Sequence, residues 1–239
     1  MIIRILNNAE QVAINCAMLI ASQVINKPDS ILGLATGSSP ILSYEYLIKW
    51  HKEGLVDFSS ATSFNLDEYL GLEPSHEQSY HYFMQDKLFS KINLKQSFLP
   101  NGNAENLDEE CVNYENKIAS MGGIDLQLLG LGTNAHIGFN EPDSVFSKST
   151  RVVDLAESTI EANKRFFESA DDVPKKAITM GIGTILRSKK ILLIAYGKSK
   201  AEAIRNMVKG DIDPMVPSSI LNVHKNVTIL IDKEAASLL

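Results

Sequence analysis

Apolar and polar positions follow two rhythms along this chain, and the regular exchange between them predicts a fold. Residues 8–25 carry apolar side chains at helical spacing, with Val12, Cys16, Leu19 and Ile20 on one stripe, until Pro28-Asp29 breaks the pattern. Ile31-Leu-Gly-Leu-Ala35 then reads as a short buried strand. The alternation continues with a helix over residues 40–52, a strand over 61–66, a helix over 80–90, a short strand over 97–99 and a long amphipathic helix over 106–121. Ile124, Leu126, Leu128, Leu129 and Leu131 form the next strand; residues 144–153 look irregular and 158–169 helical. A strand over 191–196, a helix over 200–208 and a last strand over 227–231 complete the series. Strands separated by helices imply βαβ units, and so a doubly wound, Rossmann-like α/β fold: a mostly parallel sheet with helices on both faces. Without a linker or repeat to divide it, the expectation is one domain spanning residues 1–239.

In such a sheet, ligands bind beyond the carboxyl ends of the strands. The strand ending at Leu131 runs into Gly130-Leu-Gly-Thr-Asn-Ala-His-Ile-Gly-Phe-Asn-Glu-Pro142, where glycines at 130, 132 and 138 permit tight turning and polar groups follow at once. His136 stands there between Asn134 and Glu141. A histidine titrates near neutrality and works as an acid or a base once a neighbour fixes its tautomer, and both Glu141 and Asn134 are candidates for that neighbour. The same ring would equally satisfy loop backbone groups, so this segment alone leaves its role open.

Two other strand ends carry chemistry. Thr36-Gly37-Ser38-Ser39-Pro40 joins a strand to a helix, and its hydroxyls, glycine and helix N-terminal N–H groups suit a phosphate or carboxylate. Pro40 fits the first helical turn, with Ser39 as a candidate cap. No Gly-Lys-Ser/Thr follows, so this is not a nucleotide P-loop. In Phe64-Asn-Leu-Asp-Glu-Tyr69, the adjacent acids cannot both face one way: one of Asp67 and Glu68 faces the cleft, where a desolvated acid can be a general base, and the other caps or pairs. Arg165 and Lys200 are cations that would complete an anion site if they lie near it. Gly181-Ile-Gly183 lacks the third glycine of a dinucleotide fingerprint and reads instead as a helix start with Thr179 near its cap. Tyr80, His81 and Tyr82 read as helix surface and core.

Composition narrows the class. Hydrophobic residues at 44% and charged residues at 22% describe an ordinary globular chain. No apolar run approaches the roughly 20 residues that span a bilayer, and Met1-Ile-Ile-Arg4 lacks the parts of a secretion signal, so a cytoplasmic protein without a membrane partner is expected. Cys16 and Cys111 lie in no metal-ligand or CxxC spacing. A net charge of −6 argues against a nucleic-acid partner but leaves room for a local phosphate pocket.

Taken together, these segments resemble those of the glucosamine-6-phosphate deaminases, aldose-ketose isomerising enzymes that turn glucosamine 6-phosphate into fructose 6-phosphate and ammonia. The resemblance covers essentially the whole chain. Leu32-Gly-Leu-Ala-Thr-Gly37 looks like the family's phosphate loop, Phe64-Asn-Leu-Asp-Glu-Tyr-Leu-Gly71 like its proton-transfer segment, and His136-Ile-Gly-Phe-Asn-Glu-Pro142 like its ring-opening segment. It implies that Asp67 removes the C2 proton, that His136 opens the pyranose ring and that Glu141 orients and tunes His136. It also implies that Thr36, Gly37, Ser38 and Ser39 bind the phosphate, helped by Lys200 and by Arg165 from a lid at about residues 144–169. Neither metal nor organic cofactor is implied. Two departures stand out: Asn134 replaces an aspartate of many longer members, and Val153 replaces a lysine of the effector site to which Arg151 belongs in activated members. With an end at Leu239, the chain resembles the short, unregulated branch, which implies a monomer. The rival readings are a hydrolase like 6-phosphogluconolactonase, which has no use for a base over C2, and a non-catalytic sugar-phosphate sensor, which needs neither Asp67 nor the His136–Glu141 pair.

Overall fold

Short apolar runs form the central strands of this fold. The computed structural model describes residues 1–155, 160 and 173–239. In chain order the strands are β1 (Ile2–Leu6), β2 (Ile31–Leu34), β3 (Thr62–Asn65), β4 (Asp67–Tyr69), β5 (Gln96–Phe98), β6 (Leu126–Gly130), β7 (Arg151–Asp154), β8 (Lys176–Thr179), β9 (Ile191–Ala195) and β10 (Val227–Asp232). Seven of them form one parallel sheet in the order β1-β10-β9-β6-β2-β3-β5, and β4-β8-β7 form a small antiparallel sheet. All of β2 and β9 is buried, as expected for strands covered on both faces.

The helices are α1 (Ala9–Asn26), α2 (Ile41–Lys52), α3 (Tyr80–Lys87), α4 (Leu107–Ser120), α5 (Ile182–Leu186) and α6 (Ala201–Lys209). Three of them start at side-chain caps: Asn8 accepts from Gln11 N, Ser79 from Tyr82 N and Asn106 from Glu109 N. Asp108, Glu109 and Glu110 add negative charge to the first turn of α4. Right-handed crossovers put α1, α2 and α3, which advance the chain toward β5, on one face of the sheet. By the same rule α4, α5 and α6, which return it toward β10, cover the other face. The direction of winding reverses between β2 and β6. Chain segments leaving those two strands therefore diverge to opposite sides and open a crevice at their carboxyl ends.

The doubly wound α/β expectation holds, and the departures from the sequence pattern are local. Edge strand β1 has no counterpart in that pattern: Ile2 and Ile5 are more than half exposed, so its apolar residues do not mark a core. Residues 144–153 are not wholly irregular, because β7 begins at Arg151. Thr179 lies within β8 rather than at a helix cap; Gly181 occupies the cap of α5 without a side-chain bond. Most of the helix expected over residues 158–169 falls outside the described residues. Among the described residues, no helix is long and apolar enough to cross a membrane.

Candidate active site

The crevice holds a cavity of about 300 Å³, lined by the chain leaving β2, β3 and β6 together with Tyr80 and Lys200. At one end lies the loop Thr36, Gly37, Ser38 and Ser39. Gly37 has φ +86°, a conformation in which a side chain would be strained. Pro40, not Ser39, occupies the cap of α2, and no side chain caps that helix. The Ser39 hydroxyl is thus not committed to capping. Tyr44 Oη donates to Ala35 O at 2.5 Å, and Tyr196 Oη donates to Ser38 O at 3.2 Å, which anchors the loop at both ends. A stretch of N–H groups and hydroxyls at the start of a helix is an anion site.

Asp67 sits deeper, on β4, and is 5% exposed. Burial and then the neighbouring Glu68 charge push its carboxyl up to about 8. Glu68 faces away from the cavity. Its carboxylate accepts from Tyr69 N, Tyr80 N and His81 N at 2.8–2.9 Å, and so caps the start of α3. That division of labour between two adjacent acids settles which one faces the cleft.

His136 occupies the opposite wall. Its Nδ1 lies 3.2 Å from Glu141 Oε2, within ion-pair range but off the line of a hydrogen bond. Asn134 Nδ2 donates to the same Glu141 oxygen at 2.6 Å, so the amide orients the carboxylate rather than the ring. Gly132 is required beneath the imidazole, since a Cβ there would stand 2.4 Å from His136 ring atoms. Between them Ala135 takes φ +67°, an uncommon conformation for a residue with a side chain, stabilised by Ser218 N donating to its carbonyl at 3.0 Å. Across the loop, Thr179 Oγ1 accepts from Phe139 N, which ties the chain just after His136 to β8.

Lys200 reaches the cavity from the turn before α6, and burial draws its ammonium below the usual lysine range. Asp232, at the end of β10, accepts from Gly197 N at 3.1 Å and from Ala235 N at 2.8 Å, fixing that turn. The structure therefore gathers Thr36, Gly37, Ser38, Ser39, Asp67, His136 and Lys200 around one cavity, with Glu141 and Asn134 behind the histidine. Arg165 lies outside the described residues.

The sequence pattern missed two cavity residues, Tyr80 and Phe139. Tyr80 is not simply helix surface: it stacks on Phe139, and its hydroxyl donates to Tyr69 Oη at 3.1 Å. Burial, Tyr69 and Asp67 together raise its phenol well above the ordinary value. The signal was the expectation that one of the two acids caps or pairs: Glu68 caps the start of α3, which draws Tyr80 against Asp67.

Chemistry-bearing loops at the switch point of a doubly wound sheet place the molecule among Rossmann-like α/β proteins. Residues 7–230 match the family of glucosamine-6-phosphate isomerases/6-phosphogluconolactonase, and the chain belongs to that family. It is 57% identical over 223 residues to a glucosamine-6-phosphate deaminase of Clostridioides difficile (strain 630), covering 92% of this chain and 90% of that one. It is 53% identical over 241 residues to the glucosamine-6-phosphate deaminase of Alkaliphilus oremlandii (strain OhILAs), with full coverage of both. A solved monomeric glucosamine-6-phosphate deaminase superposes over the whole of both chains with a TM-score of 0.97 at 48% identity. A 6-phosphogluconolactonase from Trypanosoma cruzi shares the fold alone, at a TM-score of 0.77 and 20% identity.

Proposed function

We propose that this chain converts glucosamine 6-phosphate to fructose 6-phosphate and ammonia, and that it does so as a monomer. The observation that carries the reading is the meeting, in one cavity, of an anion loop, a buried carboxylate and a histidine backed by a carboxylate. The family membership and the similarity to named deaminases support it. A phosphorylated sugar suits the cytoplasm, since its charge bars unaided passage through a membrane.

The phosphate docks on the N–H groups and hydroxyls of Thr36, Gly37, Ser38 and Ser39, and Lys200 adds positive charge. Arg165 is assigned the same role on sequence grounds. His136 then takes the proton from the O1 hydroxyl and returns one to O5, which breaks the C1–O5 bond and gives the open aldehyde. The Glu141 carboxylate 3.2 Å from Nδ1 attracts the ring hydrogen to that nitrogen, which would leave Nε2 as the acceptor. Asp67, as carboxylate, removes the C2 proton while a proton passes from the C2 ammonium to O1, which gives the enolamine; Asp67 then returns its proton to C1. The resulting ketimine adds water at C2, the C–N bond breaks, and ammonia departs. A pKa of about 8 keeps much of Asp67 protonated in the free protein at neutral pH. The substrate's ammonium, held near the carboxyl, favours its ionised form, so binding switches the base on.

The deciding experiment follows ammonia and fructose 6-phosphate from glucosamine 6-phosphate, in metal-chelated buffer, with and without N-acetylglucosamine 6-phosphate. Equal amounts of both products, hyperbolic and indifferent to the acetylated sugar, are expected. Hydrolysis of 6-phosphogluconolactone without any ammonia would overturn the reading.

A further inference from the structure

One buried residue of the ring-opening segment has every hydrogen-bonding position filled. Asn140 is 2% exposed. Its Nδ2 donates to Ile137 O and to Met180 O, both at 2.8 Å. Its Oδ1 accepts from Ser147 Oγ at 2.6 Å and from an Arg151 guanidinium nitrogen at 2.9 Å. Two carbonyls on one side and two donors on the other fix which way the amide points. Ser147 is itself held, since its Oγ accepts from Ile182 N at 3.1 Å at the start of α5. Asn140 is next to Glu141 in sequence and three residues beyond Ile137, so this amide clips the turn that carries His136 to the end of β8.

The small sheet aligns these groups. Thr179 on β8 is paired with Asp67 on β4 and with Arg151 on β7, so the three stand in one row across the sheet. Residues directly opposite in antiparallel strands project to the same face. Asp67 Oδ2 and Thr179 Oγ1 accordingly both approach Gly138, and Arg151 reaches Asn140 two residues further along the same loop. The guanidinium that the family resemblance assigns to an effector site is here turned into the protein, half-buried and bonded to the catalytic loop.

We infer that Arg151 and Ser147 are positioning residues for ring opening, holding the His136–Glu141 turn in register through Asn140. The inference rests on the proposed deaminase reaction. A side chain that keeps a reacting group within an ångström of its place is worth up to about 100-fold in rate.

The test compares kcat for ammonia release with binding of an acyclic alditol analogue of the sugar phosphate, which has no ring to open. Arg151→Gln and Ser147→Ala should each lower kcat about tenfold and Asn140→Ala about 100-fold, with analogue binding held within about twofold. Arg151→Lys, which keeps one donor, should recover most of the rate. Ser147→Ala should add nothing in the Asn140→Ala background, because both act through one amide. Imidazole ¹⁵N spectra of His136 should shift in Arg151→Gln. Rates near wild type in both Arg151→Gln and Ser147→Ala, additive losses in the Asn140→Ala background, or parallel loss of rate and analogue binding would each overturn the inference. If wild-type protein releases no ammonia, the functional reading fails instead. The His136 spectra then decide alone: a shift in Arg151→Gln upholds the positioning role and superimposable spectra refute it.

Discussion

Asp67 carries the sharpest consequence of any single residue, because one buried carboxyl makes opposite demands on activity and on stability. As the proposed base, Asp67 ionises in the free protein around pH 8, so kcat/KM should rise with pH through that value and level off above it. The limb in kcat should fall at lower pH, since bound ammonium favours the carboxylate. For stability the sign runs the other way. The folded protein holds this proton across the window from about pH 4, the ordinary aspartate value, up to about pH 8, whereas the unfolded chain has released it. Stability from this group is therefore full below that window and is lost as pH rises through it. Asp67→Asn should thus reduce ammonia release by about 10³-fold yet melt above wild type at pH 8, with the gap closing toward pH 4.5. Paired melts and assays check both halves; equal melting at both pH values would refute the buried, protonated carboxyl. Gly132→Ala should act on the partner wall. Its methyl would stand 2.4 Å from the His136 ring, so the imidazole must move, and kcat should fall about 100-fold with little change in phosphate affinity.

At the scale of elements, the cation of the site depends on a turn held from beneath. Lys200 follows Gly197, which has φ +86°, and Lys200 N donates to Gly197 O while Asp232 holds Gly197 N. Lys200→Met should raise KM by about 10- to 100-fold with kcat nearly unchanged, as for loss of one charge-assisted phosphate contact. Asp232→Ala should raise KM by a smaller factor, because the lysine survives but its turn loosens; steady-state kinetics of both variants rank the two effects. An equal or larger effect on kcat would place Asp232 elsewhere in the mechanism. The elements most legible in the sequence were those whose pattern comes from burial within one segment: β2, β6, β9 and β10, and the amphipathic α1 and α4. The small sheet was not legible. Asp67-Glu-Tyr69 and Lys176-Ala-Ile-Thr179 carry no strand pattern of their own, and they pair only because the loops after β3 and before α5 are brought side by side. Asp67, His136 and the Thr36–Ser39 loop were readable because each follows a strand. Tyr80 and Phe139 were not, because an aromatic residue on a helix or in a loop reads as packing until a cavity forms beside it.

For the whole molecule, the question is whether anything in the fold couples one copy to another. A stable interface hides about 1,200–2,000 Å² counted over both partners, or about 800 Å² on each. Among the described residues, exposed large apolar side chains include Met18 and Ile25 on α1 and Val112 on α4. Because α1 and α4 cover opposite faces of the sheet, the exposed residues of these two helices do not share a patch. Within the chain, Arg151 bonds Asn140 and Val153 stands beside it on β7 without a charge to offer an anion. A molecule of this design should answer to its substrate alone. Sedimentation should show one species of 26.4 kDa from micromolar to about 100 micromolar protein, and the saturation curve should have a Hill coefficient of about 1. A species that grows with concentration, or a sigmoidal curve made hyperbolic by N-acetylglucosamine 6-phosphate, would show that copies of the chain are coupled. In that case the Arg151–Asn140 bond would be the contact to break first, because it joins the expected effector residue to the ring-opening turn.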